Sequence, residues 1–106
     1  MTKTKIKVKK EGREGVYLVE KEEIKRFIKL EKLKTIHSFI PSSFMMIGAD
    51  HDIKSVLTDI DNAERIGILT GKAQIGNLGH ALSIISNNKL ELYDIGKITD
   101  KDLIIN

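Results

Sequence analysis

The sequence predicts an α+β (mixed α/β) fold: an N-terminal β-hairpin, then β-α-β-α-β units that form one mixed sheet with helices packed on it. Three observations predict it. Apolar residues alternate with lysines over 3–9, and the alternation returns over 89–93, which is the period of a half-buried strand. Two segments, 53–60 and 78–85, carry apolar residues at i, i+3, i+4 and i+7, the stripe of an amphipathic helix. Short runs at 44–47 and 65–70 are apolar on both sides of the pleat and read as strands covered on both faces.

The elements follow in order. Ile6 and Val8 alternate with Lys5, Lys7 and Lys9, the segment Glu11-Gly12-Arg13-Glu14-Gly15 carries turn chemistry, and Val16 to Val19 is the return strand of a hairpin. Glu20 to Lys34 is rich in strong helix formers, with Ile24, Phe27, Ile28, Leu30 and Leu33 giving a wide apolar stripe. The helix reading extends through Ile36-His37-Ser38-Phe39, with Pro41 as its limit. Phe44 to Ile47 is the covered strand, and Gly48 to Asp52 turns into a helix over Ile53, Val56, Leu57 and Ile60, capped by Asp50 or Asp52. Arg65 to Thr70 is the next strand. A glycine-punctuated loop leads to a helix over Leu78, Ala81, Leu82 and Ile85, with Asn77 as N-cap and Asn87-Asn88 as its stop. Lys89 to Tyr93 is a strand, and Thr99 to Asp102 starts a helix or turn before Leu103 to Ile105. Alternating strands and helices predict parallel or mixed pairing of the later strands with right-handed crossovers.

The 106 residues read as a single domain, 1–106. The absence of cysteine excludes disulfide frameworks, thiolate metal sites and cysteine nucleophiles. No apolar run reaches the ~18 residues that span a bilayer, and no apolar signal segment follows the basic start, so the expected location is the cytoplasm and no membrane partner is expected. Net charge is +3, but residues 1–34 carry a balance of +6 and residues 35–106 a balance of −3, so an anionic partner is steered to the front third. With 15 lysines and 3 arginines, the forks that read bases are scarce, which disfavours sequence-specific nucleic-acid recognition. A small core and the run Ile36 to Ile47, with Phe39, Phe44, Met45 and Met46, point to a homo-oligomer.

Four of eight glycines fall within Gly67 to His80, between a strand and a helix, where free backbone amides meet an anion. Neither the P-loop nor the dinucleotide fingerprint fits its spacing, and Gly76-Asn-Leu-Gly79 shares only four letters with the RNA-binding KH loop. Asp50-His51-Asp52 is a second cluster, with general acid–base or metal-ligating potential if His80 or His37 joins it. No hydrolase motif surrounds Ser38, Ser42 or Ser43.

Three functions follow as expectations. The leading one is a non-enzymatic binding or regulatory protein that holds an anionic small molecule, such as a nucleotide, at helix N-termini, with Asp50, His51, Thr70, Gly71, Lys72, Asn77, Gly79 and His80 lining one crevice between neighbouring strands. The second is an acid–base or metal-assisted enzyme with His51 or His80 as general base and Asp50 or Asp52 as its partner or as a metal ligand, the two imidazoles approaching each other. The third is an interaction module that binds nucleic acid or an acidic protein through residues 1–34. No resident cofactor or metal is expected.

Overall fold

A computed structural model of the chain describes residues 4–41, 46–70, 80–95 and 98–106. The hairpin lies where the alternation put it. Along β1 (Ile6–Lys10), Ile6 and Val8 are buried while Lys7 and Lys9 are exposed. β1 pairs antiparallel with β2 (Val16–Leu18). Gly12 and Gly15 take φ of 72° and 82° in the turn, a left-handed region where a Cβ is strained.

Helix α1 (Lys21–Leu30) buries Ile24, Phe27 and Ile28. It stops earlier than its composition suggests. Lys32 takes φ of 54°, its N–H donates to the Lys29 carbonyl (3.1 Å), and the Leu33 N–H donates to the Ile28 carbonyl (3.2 Å). This is the doubly bonded helix stop usually built on glycine, here built on a lysine. The expected helical continuation through Phe39 is therefore wrong: Thr35 to Pro41 is a strand, β3. Ile36 faces the helix-side core and Phe39 the opposite cluster, so both faces of the strand are covered and the apolar spacing imitates a helix.

β4 (Met46–Asp52) pairs antiparallel with β3 through seven residue pairs, from Pro41↔Met46 to Thr35↔Asp52. The turn expected at Gly48 to Asp52 is thus also strand. β4 is an edge, and its exposed residues Gly48, Ala49, Asp50 and Asp52 have the composition of a loop because they face water. α2 (Ile53–Asn62) follows directly, buries Val56 and Ile60, and is capped by the Asp52 carboxylate, which accepts from the Lys54 N–H at 3.1 Å.

β5 (Arg65–Leu69), β6 (Ala81–Ser86) and β7 (Lys89–Asp94) form an antiparallel meander. β6 occupies most of the segment expected to be the 78–85 helix; Leu78 itself lies outside the described residues. Ala81, Leu82, Ser83 and Ile84 are all buried, because Leu82 and Ile84 enter the helix-side core while Ala81 joins Phe39, Leu92 and Leu69 on the other face. Such a doubly covered strand has no polar stripe to betray its period. Asn87 and Asn88, read as a helix stop, form the two-residue turn of the β6–β7 hairpin with φ of 52° and 62°. The Asp100–Asp102 turn, a single 3-10 turn closed by a Thr99–Asp102 capping box, precedes β8 (Leu103–Ile105).

The strand order is β4-β3-β7-β6-β5-β2-β1-β8 in one mixed eight-stranded sheet, an α+β arrangement. Among the described residues the β1–β8 pairing is the parallel one, and the remaining ladders are antiparallel. Of the parallel or mixed pairing expected among the later strands, β3 to β7 show antiparallel ladders. α1 and α2 lie on one face of the sheet, over a core of Ile6, Val8, Ile66, Ile68, Leu82, Ile84 and Tyr93. Among the described residues no helix is long and apolar enough to cross a membrane.

Candidate functional site

The expected crevice required β4 and β5 to be parallel neighbours. Three strands, β3, β7 and β6, stand between them. Thr70 is buried at the end of β5, where its N–H (2.8 Å) and hydroxyl (3.1 Å) both donate to the Gly15 carbonyl. It ties the sheet to the hairpin turn. Gly71, Lys72, Asn77 and Gly79 lie outside the described residues, as do Ser42, Ser43, Phe44 and Met45.

The cluster Asp50-His51-Asp52 is split by the pleat, since successive strand residues face opposite sides. Asp50 lies 2.9 Å from His37 Nδ1 across the β3–β4 ladder. His51 turns to the helix side, where its Nε2 is 2.7 Å from Ser38 Oγ and its ring meets Tyr93 edge-on at 5.7 Å. Asp52 caps α2. His80 Nε2 lies 3.0 Å from Asp100. The three imidazoles thus serve three separate contacts, and among the described residues no group of three His, Asp or Glu side chains is placed to hold a metal ion. The Ser38–His51 pair has the distance of a nucleophile and its base. It acts as a lock between β3 and β4, and the cavities below are lined by neither residue.

Three hollows of similar size differ in their electrostatics. A cleft of about 560 Å³ opens where β2 ends and α1 begins. Lys7, Lys9, Lys21 and Arg65 meet Glu20, Glu22, Glu23 and Glu64 there, so its charge cancels. Glu23 is engaged by the Lys7 N–H at 3.0 Å and by Arg26, which also donates to the Lys5 carbonyl at 2.6 Å. The Arg26 guanidinium holds the Glu23 carboxyl below the usual carboxylate range. Together they clip α1 to the stretch of β1 that β2 leaves unpaired. A second hollow, about 580 Å³, has Asp59 and Glu91 on its wall, with Lys89 beside Glu91. Both carboxylates accept from the Tyr93 hydroxyl, at 3.0 and 2.7 Å. Burial, then those two partners, push the phenol well above its ordinary range.

The third hollow is a groove of about 530 Å³ between α1 and α2. Its floor is Ile28, Leu33, Ile53 and Leu57; its rim is Lys25, Lys29 and Lys32, with Asp61 opposite. Lys25 pairs with Asp61. Lys29 and Lys32 are exposed, and among the described residues neither has an ion-pair partner. The helix stop builds this groove: it swings Lys32 to the rim while Leu33 folds back beside Ile28. The basic front third is therefore divided, with Lys7 and Lys9 among the carboxylates of the first cleft and the three groove lysines between the helices. The signal for the groove was present as Lys25, Lys29 and Lys32 at i, i+4 and i+7 beside apolar Ile28. No protein-family model, curated protein or solved structure matches the chain.

Proposed function

We propose that the chain is a non-enzymatic interaction module of the cytoplasm that engages an acidic protein through its helical layer. The observation that carries this reading is the groove in which three lysines surround an apolar floor. Cations on the rim steer an acidic partner and set its orientation, and the floor supplies the area whose desolvation holds it. The small-anion reading has weaker support. The first turn of α1 carries Glu22 and Glu23, the start of α2 is already occupied by the Asp52 carboxylate, and 81–86 is strand. Each disfavours a second anion there. The enzyme reading expected the His51 and His80 imidazoles to approach each other; His51 of β4 meets Ser38, His80 precedes β6 and meets Asp100, and β3 and β7 stand between β4 and β6. Nucleic acid is disfavoured by the apolar floor and by a rim of lysine without arginine forks or stacking rings.

Binding of labelled polyglutamate, polylysine and duplex DNA to the purified protein, followed by anisotropy across a salt series, tests the proposal. Polyglutamate is expected to bind, with affinity falling as salt screens the rim, and polylysine is expected not to bind. Absent or salt-independent polyglutamate binding, or tighter binding of DNA, overturns it.

A further inference from the structure

We infer that the acidic partner enters the α1–α2 groove as an amphipathic helix, with its apolar face on Ile28, Leu33, Ile53 and Leu57 and its carboxylates over Lys29 and Lys32. The inference rests on the preceding proposal and adds the shape and chemistry of the bound segment.

Three features of the groove select a helix. First, its walls are themselves helices, whose main-chain N–H and C=O groups are spent within each helix. An extended segment finds no ladder to join and leaves peptide groups without partners against the apolar floor, which is unfavourable. A helix arrives with those groups already paired. Second, α1 and α2 are 10 residues each. At 1.5 Å per residue they offer a seat of roughly 15 Å, or about three turns, which suits anchors at i, i+3 or i+4, and i+7. Third, the charge is graded along the groove. The Lys25–Asp61 pair bridges the helices at one end, while Lys29 and Lys32 stand exposed toward the other. A carboxylate is drawn to the Lys29–Lys32 end and repelled by Asp61, so the partner's acidic residues gather on one half of its length.

The site also provides a control against misfolding. Lys32 holds a left-handed backbone angle that glycine adopts without strain, so Lys32→Gly removes a rim charge and at the same time relieves the helix stop.

The test uses the whole chain and a labelled synthetic peptide of roughly four helical turns, with leucines at helical spacing and glutamates elsewhere, beside a scrambled peptide of the same composition. Anisotropy gives affinity and circular dichroism gives helix content. The patterned peptide is expected to bind about tenfold tighter than the scrambled one and to gain helicity on binding. Lys32→Gly is expected to raise the melting temperature yet weaken binding about threefold, and the pair Lys29→Ala with Lys32→Gly to weaken it about tenfold, the range of exposed charge pairs. Asp61→Asn is expected to tighten binding a few-fold. Equal affinity for the two peptides, or lysine variants without effect on the patterned one, overturns the inference while salt-sensitive polyglutamate binding leaves the broader proposal standing. If polyglutamate also fails to bind, both are overturned.

Discussion

Replacing Tyr93 by phenylalanine isolates one hydroxyl in the core. The ring is fully buried, so the substitution keeps its volume and its packing and opens no cavity. The hydroxyl reaches Glu91 at 2.7 Å and Asp59 at 3.0 Å, but it has one proton, so the loss equals one charge-assisted hydrogen bond rather than two. Such a bond contributes about 1.5–3 kcal/mol net. For 106 residues the unfolding entropy is roughly 0.22 kcal/mol/K, from about 2.1 cal/mol/K per residue. The melting temperature should therefore fall by about 7–14 °C. Thermal melts by far-ultraviolet circular dichroism measure it, which suits a chain without tryptophan. The same group has a pH signature. Its phenol is raised in the folded state above the ordinary value of 10.0, chiefly by burial. The stability it lends is whole below pH 10 and is lost as pH rises above that value, with a slope of at most about 1.4 kcal/mol per pH unit. Tyr93→Phe should lose this alkaline slope. A melting temperature within about 2 °C of the parent, or an unchanged slope above pH 10, would refute the assignment of that hydroxyl as a buried donor.

Other expected outcomes probe separate parts of the fold. Glu23→Gln unclips α1 from β1 and should cost about 1 kcal/mol, the low end for a charged bond because the Arg26 side chain is 43% exposed. Since the Glu23 carboxyl is depressed below 4.5 by Arg26, its contribution is present above that pH and lost as pH falls through the folded value; equal acid sensitivity of parent and variant in urea melts would contradict it. Gly48→Ala drives a Cβ into the Ser38 carbonyl oxygen and to 2.6 Å from His37 Nε2. β4 must move by about 1 Å or more, so hydrogen exchange should rise along β3 and β4 while the helix-side core keeps its protection. Leu82→Ala, at a side chain with no exposure, should cost about 3–5 kcal/mol in chemical denaturation, a large share of the 5–15 kcal/mol usual for a domain.

The elements legible in the sequence were those with one wet face. Lys7 and Lys9 opposite Ile6 and Val8 mark β1, and Val56 and Ile60 mark α2, because water on one side imposes a period on the residue types. β3 and β6 were hidden for the opposite reason. Ile36 and Phe39, or Ala81 and Leu82, are buried on opposite sides of the sheet, and their spacing then fits a helix as well as a strand. β4 was cut short because an edge strand bearing Gly48, Asp50 and Asp52 looks like a loop. Those misreadings carried into the site. Once β6 is a strand, the helix start expected to cradle an anion beside Asn77 loses its support from residues 81–85, and the pleat divides Asp50 from His51. The groove has no local signature comparable to the glycines of 67–80, because it needs a helix stop at Lys32 and a second helix from a distant part of the chain.

The parallel ladder joining Ile6 to Leu103 carries a consequence for synthesis and folding. β1 is made long before its outer neighbour β8, since Ile6 must wait for Leu103. Until then its outer backbone groups have no strand beside them, on a chain that is still growing. Closing that ladder spans nearly the full described length, so it is the costliest loop in the sheet and a natural candidate for the slowest step. An emerging chain stalled before Leu103 would offer β1 to a neighbouring nascent chain, which makes this seam a place where co-translational aggregation should begin.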